Sequence, residues 1–148
     1  MAITQAMATS FKLEILDGIH AFGTTVIRAG TTPDTFKIAL YTSAASLNAA
    51  TTTYTTSGEV VGTGYTAGGN TLVNVAPTSS GTTAFCDFND TTWANATITA
   101  RGAMIYNSTQ SNKCVAVFDF GADKTSTDGD FTVIFPTPDA SNAVLRIA

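Results

Sequence analysis

The chain has 148 residues, which suits one domain with a core of its own. Only 12% of residues are charged, and eleven Asp/Glu against seven Lys/Arg leave a net charge of −4. That balance argues against a nucleic-acid binder or a protein held on anionic lipid, both of which need basic surfaces, and the 44% apolar content argues against disorder.

The first ten residues are uncharged and rich in Ala, Thr and Gln. They read as a frayed terminus or as an extended arm that orders on a neighbour. Lys12 is the first basic residue, and polar residues interrupt any apolar core. A secretion signal is therefore not expected, and synthesis and folding in a cytoplasm are. No run approaches the ~20 apolar residues of a membrane helix. From Thr9 to Phe22 the spacing of Phe11, Ile15, Ile19 and Phe22, widened by Leu16, predicts a helix. Lys12, Glu14, Asp17 and His20 mostly fall elsewhere on the wheel, and Gly23 fits just past the end. The apolar stripe lies against the protein's own sheet or docks on a neighbouring subunit.

The period then changes from helical to alternating. Thr35-Phe-Lys-Ile-Ala-Leu-Tyr-Thr42 predicts a half-buried strand with Phe36, Ile38 and Leu40 on one face. Residues 43–58 are small and polar and predict a long exposed loop of the kind that carries contacts. The glycines of Ser57-Gly-Glu-Val-Val-Gly-Thr-Gly-Tyr-Thr-Ala-Gly-Gly69 mark bends and close backbone approaches. Further strands are expected at Asn70–Val75, Thr83–Phe88, Ala96–Tyr106, Lys113–Phe120, Asp130–Phe135 and Ala143–Ile147. Turn chemistry separates them at Pro77-Thr-Ser-Ser-Gly81, Asn107–Asn112, Thr127-Asp-Gly-Asp130 and Pro136-Thr-Pro-Asp139. Short strands without intervening helices imply a mainly β, single-domain chain over 1–148. The expected fold is an antiparallel β-sandwich or jelly-roll-like barrel with one N-terminal α-helix.

Chemistry is sparse. His20 is the one histidine and reads as a surface or rim residue. Asp119, Asp123, Asp128 and Asp130 lack the spacing and terminal Glu of a calcium loop and read as a solvated turn. Gly62-Thr-Gly-Tyr-Thr-Ala-Gly-Gly69 lacks the Lys-Ser/Thr ending and following helix of a phosphate cradle. The glycosylation pattern at Asn89, Asn95 and Asn107 arises by chance in so Thr-rich a chain. Cys86 and Cys114 read as two buried thiols or as a single bridge across the core. Trp93, Tyr65 and Tyr106 offer stacking faces for a sugar or packing for the core. No catalytic residue, metal ligand or cofactor site is expected, so an enzyme is not. A surface poor in ions and rich in hydroxyls instead suits burial against other proteins in a large assembly.

The blocks Thr35-Phe-Lys-Ile-Ala-Leu-Tyr-Thr-Ser43, Tyr54-Thr-Thr-Ser-Gly-Glu-Val-Val-Gly-Thr-Gly-Tyr-Thr-Ala-Gly-Gly69 and Asp130-Phe-Thr-Val-Ile-Phe-Pro136 resemble small virion structural proteins of tailed bacteriophages. So does the opening Thr4-Gln-Ala-Met-Ala-Thr-Ser-Phe-Lys12. Within that group the chain is most similar to a capsid decoration, or cement, protein. The resemblance implies a capsid-surface location on the virion after synthesis in the host cytoplasm. Implied partners are the major capsid protein and copies of the chain itself, as a dimer or trimer. Neither nucleic acid nor membrane is an expected partner. Expected contact regions are residues 1–10, the loop 43–58 and the Gly62–Gly69 loop, with Ile3, Thr4, Gln5, Met7, Leu47, Tyr54 and Tyr65 as candidate contact residues. Neck, tail or fibre proteins and a carbohydrate-binding adhesion module are the alternatives.

Overall fold

The computed structural model describes residues 2–16, 18–25 and 32–148. Met1 and Asp17, placed above in the arm and on the helix, lie outside them. Two antiparallel sheets carry the fold. The larger runs in the order β1 (Ala6–Met7), β7 (Lys113–Val133), β6 (Thr91–Asn107), β2 (Phe36–Tyr41), β3 (Asn70–Thr71), and the smaller is β4 (Asn74–Ser80), β5 (Thr83–Phe88), β8 (Leu145–Ile147). This is the expected β-sandwich with a single N-terminal helix, α1 (Thr9–Leu16).

Aromatic side chains fill the space between the sheets. Phe36 of β2 lies 5.8 Å from Phe88 of β5, ring centre to ring centre, and Phe88 lies 5.8 Å from Phe135. Phe22 stacks on Phe36 at 4.3 Å and takes the edge of Phe11 from α1. Buried aromatic pairs of this kind add about 0.5–1.5 kcal/mol each beyond the area they hide.

The predicted helix is too long. It ends at Leu16, and the chain turns at Gly18, whose φ of 70° favours a residue without a Cβ. The Gly18 and Ile19 amides close that turn on the carbonyls of Ile15 and Glu14. Ile19 and Phe22 keep a helical spacing in the sequence but lie in the segment after the turn, where Phe22 packs on the core.

The half-buried strand is also corrected. In β2 every residue except Lys37 is buried, because the segment after it covers the second face. That segment leaves the edge of β2 at Thr42 and crosses to β7, where Thr53 pairs with Lys113. It then returns to the edge of β2 through Gly58–Val60. Ala45 and Leu47 are buried on the way, and the rest of the loop 43–58 is exposed or half-buried, as expected. The first residues are neither frayed nor a free arm. Ile3 bridges to Leu47, and Ala6–Met7 pair with Ala116–Val117 as β1.

Of two turns drawn from composition, the first is narrower, at Gly81–Thr82 between β4 and β5, and the second is absent. Pro77–Ser80 belong to β4, an edge strand with a bulge between Val75 and Thr78, where a residue without an N–H is tolerated. Thr127-Asp-Gly-Asp130 lies inside β7 and does not divide it. Asp128 (φ 52°) sits opposite an irregular stretch of β6 that contains Asn95 (φ 50°). The extra length on one strand is matched on the other, and the register is the same on both sides. Nearer the middle, Arg101 alone faces residues 120–123, a wide bulge that bends the long β6–β7 ribbon.

Candidate functional site

Two polar clusters and one open strand edge stand out. The first cluster joins segments far apart in the chain. The His20 side chain has no solvent-exposed surface, which corrects the rim reading. Its Nε2 lies 2.8 Å from Glu14 Oε2, and Lys113 Nζ donates to Glu14 Oε1 at 2.6 Å. Asn107 Nδ2 contacts His20 Nδ1 at 3.0 Å and donates to Asp34 Oδ2 at 2.7 Å. The Asn107 amide cannot be reversed, because its Oδ1 accepts the Thr109 and Gln110 amides. Nδ1 of His20 is therefore an acceptor, and the ring is the neutral tautomer with its proton on Nε2, donated to Glu14. Burial would raise the Glu14 carboxyl, but the hydrogen bonds from Lys113 and His20 and the Lys113 charge outweigh it and hold the group below the usual carboxylate range. Both ring nitrogens are engaged and the ring is enclosed, so His20 meets no substrate.

This network fastens α1 and the segment after it to the ends of β6 and β7. We expect nitrogen NMR of the folded protein to show the Nε2–H tautomer at neutral pH. Asn107→Ala should cost about 2–3 kcal/mol in chemical denaturation, since it removes a donor from His20 Nδ1 and from Asp34 and the acceptor of the Thr109 and Gln110 amides. A ring protonated on Nδ1 contradicts the arrangement.

The second cluster is local. Glu59, 8% exposed, accepts the Tyr54 hydroxyl at 2.6 Å, and the Tyr65 hydroxyl and Gly68 amide at 2.7 Å each. Tyr65 in turn accepts the Leu40 amide, and Tyr106 donates to the Gly68 carbonyl at 2.7 Å. Tyr54 and Tyr106 stack at 4.7 Å. Burial pushes the Tyr106 hydroxyl up to about 12, helped by the Glu59 charge. Burial with the Glu59 hydrogen bond pushes Tyr54 and Tyr65 higher. The glycine run thus wraps a buried carboxylate. At Gly69 (φ 67°) a Cβ would stand 1.8 Å from the Ile38 carbonyl, so only glycine lets the loop close onto β2.

Of the predicted contact residues, Thr4 and Gln5 are exposed. Met7, Tyr54 and Tyr65 are half-buried, and Ile3 and Leu47 are buried against each other's segments. Ile3 and Thr4 meet Leu47, and Tyr54 and Tyr65 meet at Glu59. Trp93 and Tyr106 are 4% and 3% exposed and pack inside, so neither offers a face to a sugar. Cys86 and Cys114 are separate buried thiols, pushed up to about 12 by burial. Among the described residues no three His, Cys, Asp or Glu side chains are grouped to hold a metal ion, and no helix is long and apolar enough to cross a membrane.

The feature that sequence reading missed is the outer edge of β7. Among the described residues, positions 118–133 pair on one side only, with β6. Beside this edge runs a groove of about 410 Å³ lined by Phe120, Lys124, Phe131, Thr132, Val133 and Ile134. Ile134 is 76% exposed. Reading Thr127–Asp130 as a turn hid the edge by cutting the strand in two. No protein-family model, no curated protein and no solved structure matches the chain.

Proposed function

We propose that the chain is a non-enzymatic structural subunit of a tailed-phage particle, a decoration protein on the outside of the head that bridges neighbouring major capsid subunits. One observation carries the reading. Charged residues are only 12% of the chain, and of these Glu14, Asp34, Glu59 and Asp87 are buried and Lys113 is tied to Glu14. The exterior is therefore as poor in ions as the composition suggests.

What it presents instead is hydroxyls. Thr92 faces Thr132 at 2.8 Å and Thr99 faces Thr125 at 3.0 Å along the exposed side of the β6–β7 ribbon. Such groups are covered at much lower desolvation cost than ions. The mechanism is mechanical. Each copy adds interface area across a seam, and many weak contacts act together because a subunit held at one point rebinds at high effective concentration. The resemblance in Thr35–Ser43, Tyr54–Gly69 and Asp130–Pro136 supports the same class.

The experiment is reconstitution. Purified chain is mixed with phage heads stripped of it, and bound copies are counted after sedimentation. Saturation at roughly hundreds of copies per head, spread by the shell symmetry, is expected. Failure to bind heads overturns the reading, and binding as one ring at the portal assigns the chain to the neck.

A further inference from the structure

We infer that the cleft between α1 and the small sheet binds a medium-chain aliphatic carboxylate, with the chain inside and the carboxylate on Arg146.

The space follows from small side chains on an apolar face. Ala84 pairs with Ile147 and Cys86 with Leu145, so these four share the face of β5 and β8 that carries the core residues Cys86 and Leu145. Ala84 and Cys86 are too short to fill the gap to Phe11, Ile15 and Phe22, and a cleft of about 240 Å³ lies between them. Ile147 lines it and is still 64% exposed. Water finds too few polar partners in such a space to stay bound, while an apolar guest restores the contacts its lining lacks. A methylene takes about the room of one water, roughly 30 Å³ in the liquid, so the cleft accepts a chain of about eight carbons.

Charge selects the head group. Besides the Cys86 thiol, the ionisable side chains in the lining are His20 and Arg146. His20 has both ring nitrogens engaged, by Glu14 and Asn107, and offers nothing to a guest. Arg146 spends one donor on the Ser141 carbonyl and, among the described residues, makes no salt bridge. Asp139 does not occupy it, because that carboxylate is taken by the Asn142 side chain and the Ser141 and Asn142 amides. Arg146 also lines the neighbouring cleft of about 450 Å³, together with Gln5 and Asn142. A carboxylate at the guanidinium therefore gains charge-assisted bonds beside polar groups while its chain lies in the apolar cleft. An ammonium head is repelled there, and an alcohol brings no charge.

The inference goes beyond the shell reading, and its test uses no particle. Octanoate, a chain too short to form micelles under these conditions, is titrated into the full chain and followed by methyl NMR. Binding at about 100 μM is expected, with shifts at Ile15, Leu145 and Ile147 and none at Ile134. Affinity should rise about fourfold per methylene from hexanoate to octanoate, the gain from hiding one CH₂, and level off beyond. Octylammonium should bind at least about tenfold more weakly. Two variants change exposed positions and leave the fold intact. Arg146→Gln should weaken octanoate about tenfold, to the level of octanol. Ala84→Phe, which fills the cleft, should abolish binding of both.

The inference is overturned if octanoate does not bind at about 10 mM, if affinity ignores chain length, or if octylammonium binds equally well. It is also overturned if the shifts fall at Ile134 instead, or if either variant changes nothing. Sedimentation with anionic vesicles without binding of free octanoate overturns it too, since the face would then be a membrane contact. Octanoate failure alongside head binding leaves the shell reading standing, and the reverse result leaves the cleft.

Discussion

Glu59→Ala should cost about 3–5 kcal/mol of folding stability, because it leaves three donors without an acceptor inside the protein. The Tyr54 and Tyr65 hydroxyls and the Gly68 amide all converge on that one carboxylate. Each lost acceptor leaves a donor to pay its own desolvation. Glu59→Gln keeps the volume and one oxygen, and its amide can donate to a tyrosine hydroxyl that rotates to accept. It should cost about 1–2 kcal/mol. Tyr65→Phe removes one donor and the acceptor of the Leu40 amide, and should also cost about 1–2 kcal/mol. Urea denaturation of the three variants checks the order. In Glu59→Ala, hydrogen exchange should quicken first at 55–69. Equal losses for Gln and Ala would show that the cluster does not work through satisfied donors.

The second large effect is alkaline. Cys86 and Cys114 are each raised by burial from 9.0 to about 12, and Tyr106 from 10.0 to about 12. Tyr41, Tyr54 and Tyr65 are pushed up as well, first by burial and then by Glu59. These are acids whose folded form holds its proton longer than the unfolded form does. Below pH 9 both states keep their protons and stability does not depend on these groups. Above it the unfolded chain releases them and gains, so stability falls as pH rises. The two thiols alone withdraw roughly 5 kcal/mol by pH 11. That equals the whole stability of many domains this size. Denaturation midpoints should be flat up to about pH 8.5 and collapse near about pH 11. Thiol absorbance that titrates near pH 9 while the protein is still folded would contradict this.

The parts of the fold that the sequence revealed are those with local causes. Thr83–Phe88 is rich in aromatic and other apolar residues and is flanked by turn residues, and it is β5 to the residue. Phe36–Tyr41 is recognisable by its β-branched and aromatic content, but its second buried face depends on a cover drawn from residues 43–60, which no period within the strand reports. Phe22 mimics the next turn of a helix because the chain, after turning at Gly18, returns it to the core that holds Phe11. Asp-Gly at 128–129 mimics a hairpin because a bulge and a turn need the same left-handed residues.

The polar clusters divide in the same way. The ligands of Glu59 lie within ten residues of it. A lone glutamate set among tyrosines and glycines in an ion-poor chain was the available signal. Glu14 and Lys113 are 99 residues apart and His20 and Asn107 are 87 apart, so only the folded chain joins them.

The account rests on the outer surface being made to be covered within a shell. Imaging of the native particle, with this chain located and counted, tests that directly. The account predicts density for it over the whole head, at positions that repeat with the capsid lattice and straddle contacts between major subunits. Intact heads with no copy of the chain would contradict it.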